Sequence, residues 1–137
     1  MNKNIIVVGA NQTGLVFAAF ARNAGFDVTV YEAKKQCDVA YDWTDDMVEE
    51  TFEEVGMPLP PKEIYTRKRN WTFVPPEKGV NVLMDLPDDQ LDMAIYRRPF
   101  NAWLLSRAEC AGVKVFYESP VKRAIVENDV VLGVELE

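Results

Sequence analysis

The start of the chain alternates apolar runs with glycines in a pattern that predicts a strand, a helix and a second strand. Asn4–Val8 is a short apolar run, typical of a strand buried on both faces of a sheet. The alanine-rich segment 15–24 predicts a thin helix that can pack closely against that sheet. Gly25 ends the helix. Residues 27–32 then alternate as a second strand does.

The middle of the chain predicts an amphipathic helix followed by a small antiparallel sheet. Thr44 can cap this helix, with Asp45 and Asp46 in its first turn and Gly56 at its end. Its apolar residues recur at helical spacing: Met47, Val48, Thr51, Phe52 and Val55. A proline-rich connector, 57–62, separates it from three candidate strands at 71–75, 79–85 and 93–97.

The last part of the chain predicts a helix, a strand and a hairpin. Pro99 suits the first turn of the helix and Gly112 its end. Residues 113–117 form the next candidate strand. Residues 121–137 resemble two strands that turn at Asn128 and Asp129, which both tolerate tight turns.

The glycines at the first turn are placed for binding a diphosphate. Gly9 can make a sharp turn after the first strand, and Gly14 can bring the helix close to that strand. The N-terminus of a helix carries unpaired N–H groups and a partial positive charge, so a dinucleotide's pyrophosphate can lie there. Glu32 ends the second strand, where an acid accepts hydrogen bonds from the adenosine ribose. The predicted cofactor-binding residues of this region are Gly9, Ala10, Asn11, Gln12, Thr13, Gly14, Glu32 and Ala33.

One residue departs from the G-x-G-x-x-G pattern. Asn11 occupies the position of the middle glycine, and a side chain there crowds approaching phosphates. Asparagine nevertheless tolerates unusual backbone angles better than most residues. Two interpretations therefore stay open: a dinucleotide-binding domain, or a scaffold of the same fold that has lost its ligand.

Lys34 and Lys35 follow Glu32 and could reach the 2′-phosphate of NADP. The carboxylate of Glu32 would repel that phosphate, so we interpret these lysines as solvated surface residues.

Composition and charge narrow the class of protein. Among 137 residues, 48% are hydrophobic and 27% charged, which is typical of a globular domain. The net charge of −7 argues against a nucleic-acid surface. No apolar run reaches the ~20 residues of a membrane span, and the first strand begins at once, so the expected location is cytoplasmic.

The side chains that carry most hydrolytic and metal chemistry are scarce. The chain has no histidine, and Cys37 and Cys110 lack the spacing of a metal or redox pair. We therefore expect free thiols, no metal site and no catalytic residue, with a minor redox possibility for Cys37.

The first strand–helix–strand unit resembles the FAD-binding unit of flavin-dependent oxidoreductases of the glutathione-reductase and hydroxylase types. Two later segments are similar to the geranylgeranyl reductase-like group. Asp42-Trp43 resembles a segment near the flavin, although a buried Trp that anchors its loop is the preferred interpretation. Arg97, Phe100 and Leu104 match the pattern R-x-x-F-D-x-x-L, with Asn101 in place of Asp.

The resemblance implies an α/β fold, with a Rossmann-like FAD/NAD(P)-binding βαβ core and a small antiparallel β insertion. Residues 1–137 would be a single cofactor-binding domain from the N-terminal part of a larger flavoprotein. That flavoprotein would use FAD to reduce isoprenoid double bonds. Arg97 would lie near the dinucleotide, although a surface arginine is an equal alternative. NAD(P) is a less favoured cofactor, a homodimer is possible, and a regulatory module without catalysis is the alternative function.

Overall fold

The computed structural model describes residues 3–77 and 79–137. These residues form two compact units. Unit 1 comprises Met1–Tyr41 with Asn101–Glu137, and unit 2 comprises Asp42–Phe100. The elements in chain order are β1 (Asn4–Val8), α1 (Gln12–Asn23), β2 (Asp27–Tyr31), β3 (Thr44–Met47), α2 (Glu50–Glu54), β4 (Tyr65–Lys68), β5 (Asn70–Phe73), β6 (Val82–Asp85), β7 (Asp92–Tyr96), α3 (Arg97–Cys110), β8 (Lys114–Phe116), β9 (Val121–Glu127) and β10 (Val130–Leu136).

Unit 1 is built on a parallel sheet in the order β1-β2-β8, with α1 connecting the first two strands. The strands align so that Val7 pairs with Val30, and Val30 in turn with Val115. Small residues let α1 lie against the sheet, because Ala18 is fully buried beside Leu15. The parallel βαβ unit and its mixed α/β class are thus confirmed.

The expectation that β1 is buried on both faces is wrong. Its residues alternate between exposed and half-buried, and Val8 is 62% exposed. The reason is that β1 lies at the edge of the described sheet and pairs only with β2. The buried centre belongs to β2, where Val28 and Val30 are at most 4% exposed.

The second half of unit 1 agrees with the sequence pattern. The inward stripe of α3 is buried at Leu104 and Ala108, and Gly112 follows the helix with a positive φ of 90°. Strands β9 and β10 pair antiparallel around Asn128 and Asp129, whose φ values of 50° and 61° confirm the tight turn.

Unit 2 contains two antiparallel sheets, in the orders β3-β7-β4 and β5-β6. The predicted strands at 71–75, 79–85 and 93–97 correspond to β5, β6 and β7, and β4 is an additional strand. The core of unit 2 includes Met93 and Ile95, which are fully buried. Phe52 and Phe100 meet edge to face, with ring centroids 6.1 Å apart.

The helix predicted from Thr44 is wrong at its start. Residues 44–47 form β3, and the helix is only the short α2. Asp45 and Asp46 lie in a strand because β3 pairs with β7 and basic side chains neutralise both carboxylates: Arg97 binds Asp45, and Lys68 lies 3.2 Å from Asp46. The preferred interpretation of Trp43 as a buried anchor is also wrong, since this residue is 67% exposed.

Candidate functional site: the glycine turn before helix α1

Gly9 adopts a backbone conformation that favours glycine. Its φ is +100°, in the region that side chains rarely occupy. Its N–H donates a 2.8 Å hydrogen bond to the carbonyl oxygen of Tyr31, the last residue of β2. The turn after β1 is thereby tied to the neighbouring strand at the end where both strands finish.

Position 14 requires glycine because there is no room for a β-carbon, and not because of its backbone angles. A β-carbon on Gly14 would lie 2.1 Å from the carbonyl oxygen of Gly9 and 3.4 Å from Cγ1 of Val7. Such a distance to a backbone atom is impossible for a real side chain. The first turn of α1 therefore packs on the preceding turn as closely as the two backbones permit.

Asn11 is the N-cap of α1. Its φ of −78° is ordinary for any residue, so the middle position of the turn imposes no need for glycine here. Its Oδ1 accepts a 3.0 Å hydrogen bond from the N–H of Gly14. This contact stabilises the helix start, and it also occupies one of the donors that a phosphate would otherwise use.

The opening of α1 keeps at least one donor available. The N–H of Leu15 reaches the carbonyl of Asn11 at 2.9 Å. The N–H of the exposed Thr13, by contrast, has no acceptor among the residues that the structure describes. Together with the partial positive charge of the helix end, this arrangement suits an anion.

Glu32 follows β2 directly and is only 8% exposed. Its Oε2 accepts a 2.7 Å hydrogen bond from the N–H of Ala10, and its Oε1 accepts one of 2.9 Å from the N–H of Lys34. Within residues 3–77 and 79–137, no cation forms an ion pair with this carboxylate. An ionised carboxylate offers about four lone-pair sites, so further donors such as ribose hydroxyls can still bind.

A contact that the sequence did not predict joins α3 to the same turn. Nδ2 of Asn101 donates a 3.3 Å hydrogen bond to the carbonyl oxygen of Ala10. Asn101 is 9% exposed and Ala10 is fully buried. The available signal was the position of Asn101 inside the R-x-x-F-D-x-x-L pattern, but that pattern does not identify its partner.

Arg97 has a carboxylate partner within unit 2. Its Nε lies 2.8 Å from Oδ2 of Asp45, and its second nitrogen binds the other oxygen of the same carboxylate. The two side chains are 25% and 19% exposed. A bidentate pair of this kind uses most of the guanidinium fork. The role of Arg97 toward a cofactor remains a prediction.

The other predicted groups are surface features. Ala33, Lys34 and Lys35 are exposed, and both cysteines are exposed and form no disulfide within the described residues. In the described residues, no cluster of histidine, cysteine or acidic side chains could hold a metal ion. Across the same residues, every helix is too short or too polar to cross a membrane.

A cavity in unit 2 is unsuited to a pyrophosphate. It measures about 850 Å³ and has apolar walls that include Phe52 and Met57. Its lining also carries five carboxylates against a single arginine, Arg67, which binds Glu49. Because an anionic ligand would be repelled there, the glycine turn remains the candidate site.

Comparison with known proteins supports this choice. A family profile for NAD(P)-binding Rossmann-like domains matches residues 7–54, which include the turn, α1 and Glu32. Digeranylgeranylglycerophospholipid reductase 1 of Methanopyrus kandleri is 31% identical over the whole chain. The chain has a Rossmann-like fold of the FAD/NAD(P)-binding type and is similar in sequence to this reductase.

Solved structures agree on the fold of this FAD/NAD(P)-binding domain. A geranylgeranyl bacteriochlorophyll reductase-like protein from Thermoplasma acidophilum matches 99% of the chain and 35% of its own length, with a TM-score of 0.78 and 17% identity. The FAD-dependent halogenase CndH, a myxobacterial protein, matches 98% of the chain and 32% of its own length, with a TM-score of 0.72 and 21% identity. The chain spans about a third of the length of the curated relatives it matches.

Proposed function

We propose that this domain binds the ADP half of FAD at the glycine turn. One observation carries the proposal. The glycine turn at residues 9–14, which leads into α1, lies next to the buried carboxylate of Glu32, and the N–H of Ala10 donates a hydrogen bond to that carboxylate. The diphosphate would lie over the N-terminus of α1 and accept hydrogen bonds from its backbone, Thr13 included. The ribose hydroxyls would donate to the remaining lone pairs of Glu32.

We further propose that the domain serves a flavin-dependent reductase acting on isoprenoid double bonds. The support is the sequence similarity to a digeranylgeranylglycerophospholipid reductase, which covers the whole chain. FAD, when bound, would supply the hydride chemistry. The residues of this chain would bind and orient its ADP end, as the N-terminal part of a longer protein.

Catalysis by these 137 residues alone is not proposed. The sequence contains no histidine, the side chain that most often serves as a general base. We therefore expect binding without turnover. A cytoplasmic location and a homodimer are further expectations, the former because Cys37 and Cys110 form no disulfide within the described residues.

A binding or regulatory module without redox activity is the alternative. One observation favours it: the side chain of Asn11 takes the N–H of Gly14, which reduces the donors that face a phosphate. NADP is disfavoured because the proposed ribose position would be met by the carboxylate of Glu32 rather than by a basic side chain.

The decisive experiment is a visible spectrum of the purified protein, followed by titration with FAD and with NADH. We expect bound flavin, or micromolar affinity for FAD, and weaker affinity for NADH. The same titration of Glu32→Gln tests whether this carboxylate contributes to FAD affinity. Glu54→Gln is its matched control, because Glu54 is exposed on α2. Failure of the wild-type chain to bind either cofactor would favour the non-catalytic module.

A further inference from the structure

The peptide groups around Ala10 are held from both sides by buried polar side chains. The N–H of Ala10 donates to Glu32 at 2.7 Å, and its carbonyl oxygen accepts from Asn101 at 3.3 Å. Ala10 is fully buried, and the two side chains are 8% and 9% exposed. The clamp defined by Glu32, Ala10 and Asn101 therefore lies largely out of solvent.

We propose that Asn101 is a positioning residue for the cofactor turn. The inference deepens the proposed function and rests on it. Asn101 is separated from Ala10 by 91 positions in sequence and anchors α3 directly to the residue that follows Gly9. By holding the carbonyl of Ala10, it fixes the adjoining N–H that orients Glu32. It thereby sets the distance between the helix start, where phosphate would bind, and the carboxylate, where ribose would bind.

The chemistry of the contact requires a donor. A carbonyl oxygen can only accept, and Asn101 is the described side chain that donates to Ala10. An ionised aspartate in its place would set one acceptor against another in a buried site, where little water can intervene. A protonated aspartic acid would regain an O–H donor. The amide of Asn101 can therefore donate a hydrogen bond to this carbonyl, whereas a carboxylate of the same shape can donate one only when it is protonated.

Charge around the clamp also has defined sources. Glu32 accepts from the N–H of Ala10. Burial raises the pKa of Tyr117, and Glu109 and Glu32 raise it further, so its phenol is neutral at neutral pH. These groups are common to the wild type and the variants, so a comparison at equal pH isolates position 101.

The test measures FAD affinity for Asn101→Asp, Asn101→Leu and the control Asn128→Asp, all below their unfolding temperatures. Asn128 is exposed in the β9–β10 turn, where aspartate is well tolerated. We expect both substitutions at position 101 to weaken binding about tenfold at about pH 7, and the control to bind within about twofold of wild type. Wild-type affinity in a folded Asn101→Asp or Asn101→Leu protein would overturn the proposal.

Measuring FAD affinity at lower pH distinguishes a positioning role of Asn101 from a general loss of protein stability in the variants. As the introduced carboxyl of Asn101→Asp takes up a proton, followed by its own carbon NMR signal, affinity relative to wild type should rise. Asn101→Leu should show no such rise. A protonated variant that binds no better than its ionised form would contradict the proposed donor role. If Asn101→Asp does not fold, Asn101→Leu decides the result.

A second readout does not depend on the cofactor. The amide signals of Ala10 and Gly14 in the ligand-free protein should shift in both variants at position 101 and not in Asn128→Asp. Unshifted signals would contradict the clamp. If these shifts occur while the wild type binds no FAD, the proposed function fails and the positioning contact stands.

Discussion

Gly14 packs against the carbonyl oxygen of Gly9 so closely that a β-carbon on Gly14 would lie 2.1 Å from that oxygen. Gly14→Ala must therefore displace the first turn of α1 from β1. We expect the free energy of unfolding to fall by about 3 kcal/mol, with loss of FAD binding, as measured by urea denaturation and titration. Gly133→Ala is the control, since a β-carbon there meets nothing within 4 Å. Equal stability of the two variants would contradict this packing.

Glu32→Gln tests the buried carboxylate. The amide keeps the length of the side chain but replaces one acceptor with a donor, which then faces the N–H of Ala10 or Lys34. We expect a loss of about 1–2 kcal/mol in unfolding free energy from the unsatisfied N–H, and at least a tenfold loss of FAD affinity. Unchanged affinity, with Glu54→Gln as reference, would remove Glu32 from the ribose site.

Asn11→Gly tests whether the cap competes with the cofactor. Removing the side chain releases the N–H of Gly14 and should cost only a few tenths of a kcal/mol in stability, because glycine is itself a tolerable N-cap. We expect FAD affinity to rise several-fold, since the released donor can bind a charged phosphate. A weaker complex would mean that the Asn11 amide itself contacts the cofactor.

The bidentate pair of Arg97 and Asp45 predicts a stability effect confined to unit 2. Arg97→Lys and Asp45→Asn should each lower the free energy of unfolding by about 2 kcal/mol, because neither can form two parallel charged hydrogen bonds. A double-mutant cycle measures their coupling. If Arg97→Lys weakens FAD binding and Asp45→Asn does not, the guanidinium contacts the cofactor.

Tyr117 should ionise above the usual tyrosine range. Burial raises its pKa, and the charges of Glu109 and Glu32 raise it further. Its neutral form is favoured in the folded state, so this contribution to stability is complete below about pH 10 and is lost as pH rises through the folded pKa. Phenolate absorbance, assigned with Tyr117→Phe, should show a lower pKa for this residue in Glu109→Gln. An unchanged pKa would exclude that interaction.

The βαβ unit was predictable because local rules and tertiary packing agree there. Glycines at positions 9, 14 and 25 each meet a backbone or spatial need that sequence spacing makes visible. The hairpin turn at Asn128 and Asp129 was predictable for the same reason. These features depend on residues that are close together in sequence, so the sequence pattern alone predicts them.

The errors have long-range causes. Thr44 and its acidic neighbours resemble a helix start, but β3 is held by β7 and by the cations Arg97 and Lys68, which come later in the chain. Asn101 and Ala10 are 91 positions apart in sequence, so the local pattern around Asn101 does not identify its partner. Hydrophobicity alone also overestimated burial for Val8 and Trp43.

The two-stranded sheet of β5 and β6 has a practical consequence for handling this polypeptide. Val82 and Leu83 are 61% and 76% exposed, and Phe73 across from Val82 is 50% exposed. Exposed aliphatic and aromatic side chains on a two-stranded sheet promote self-association. We therefore expect self-association to limit the usable concentration for titration or crystallisation, and mild detergent to extend it.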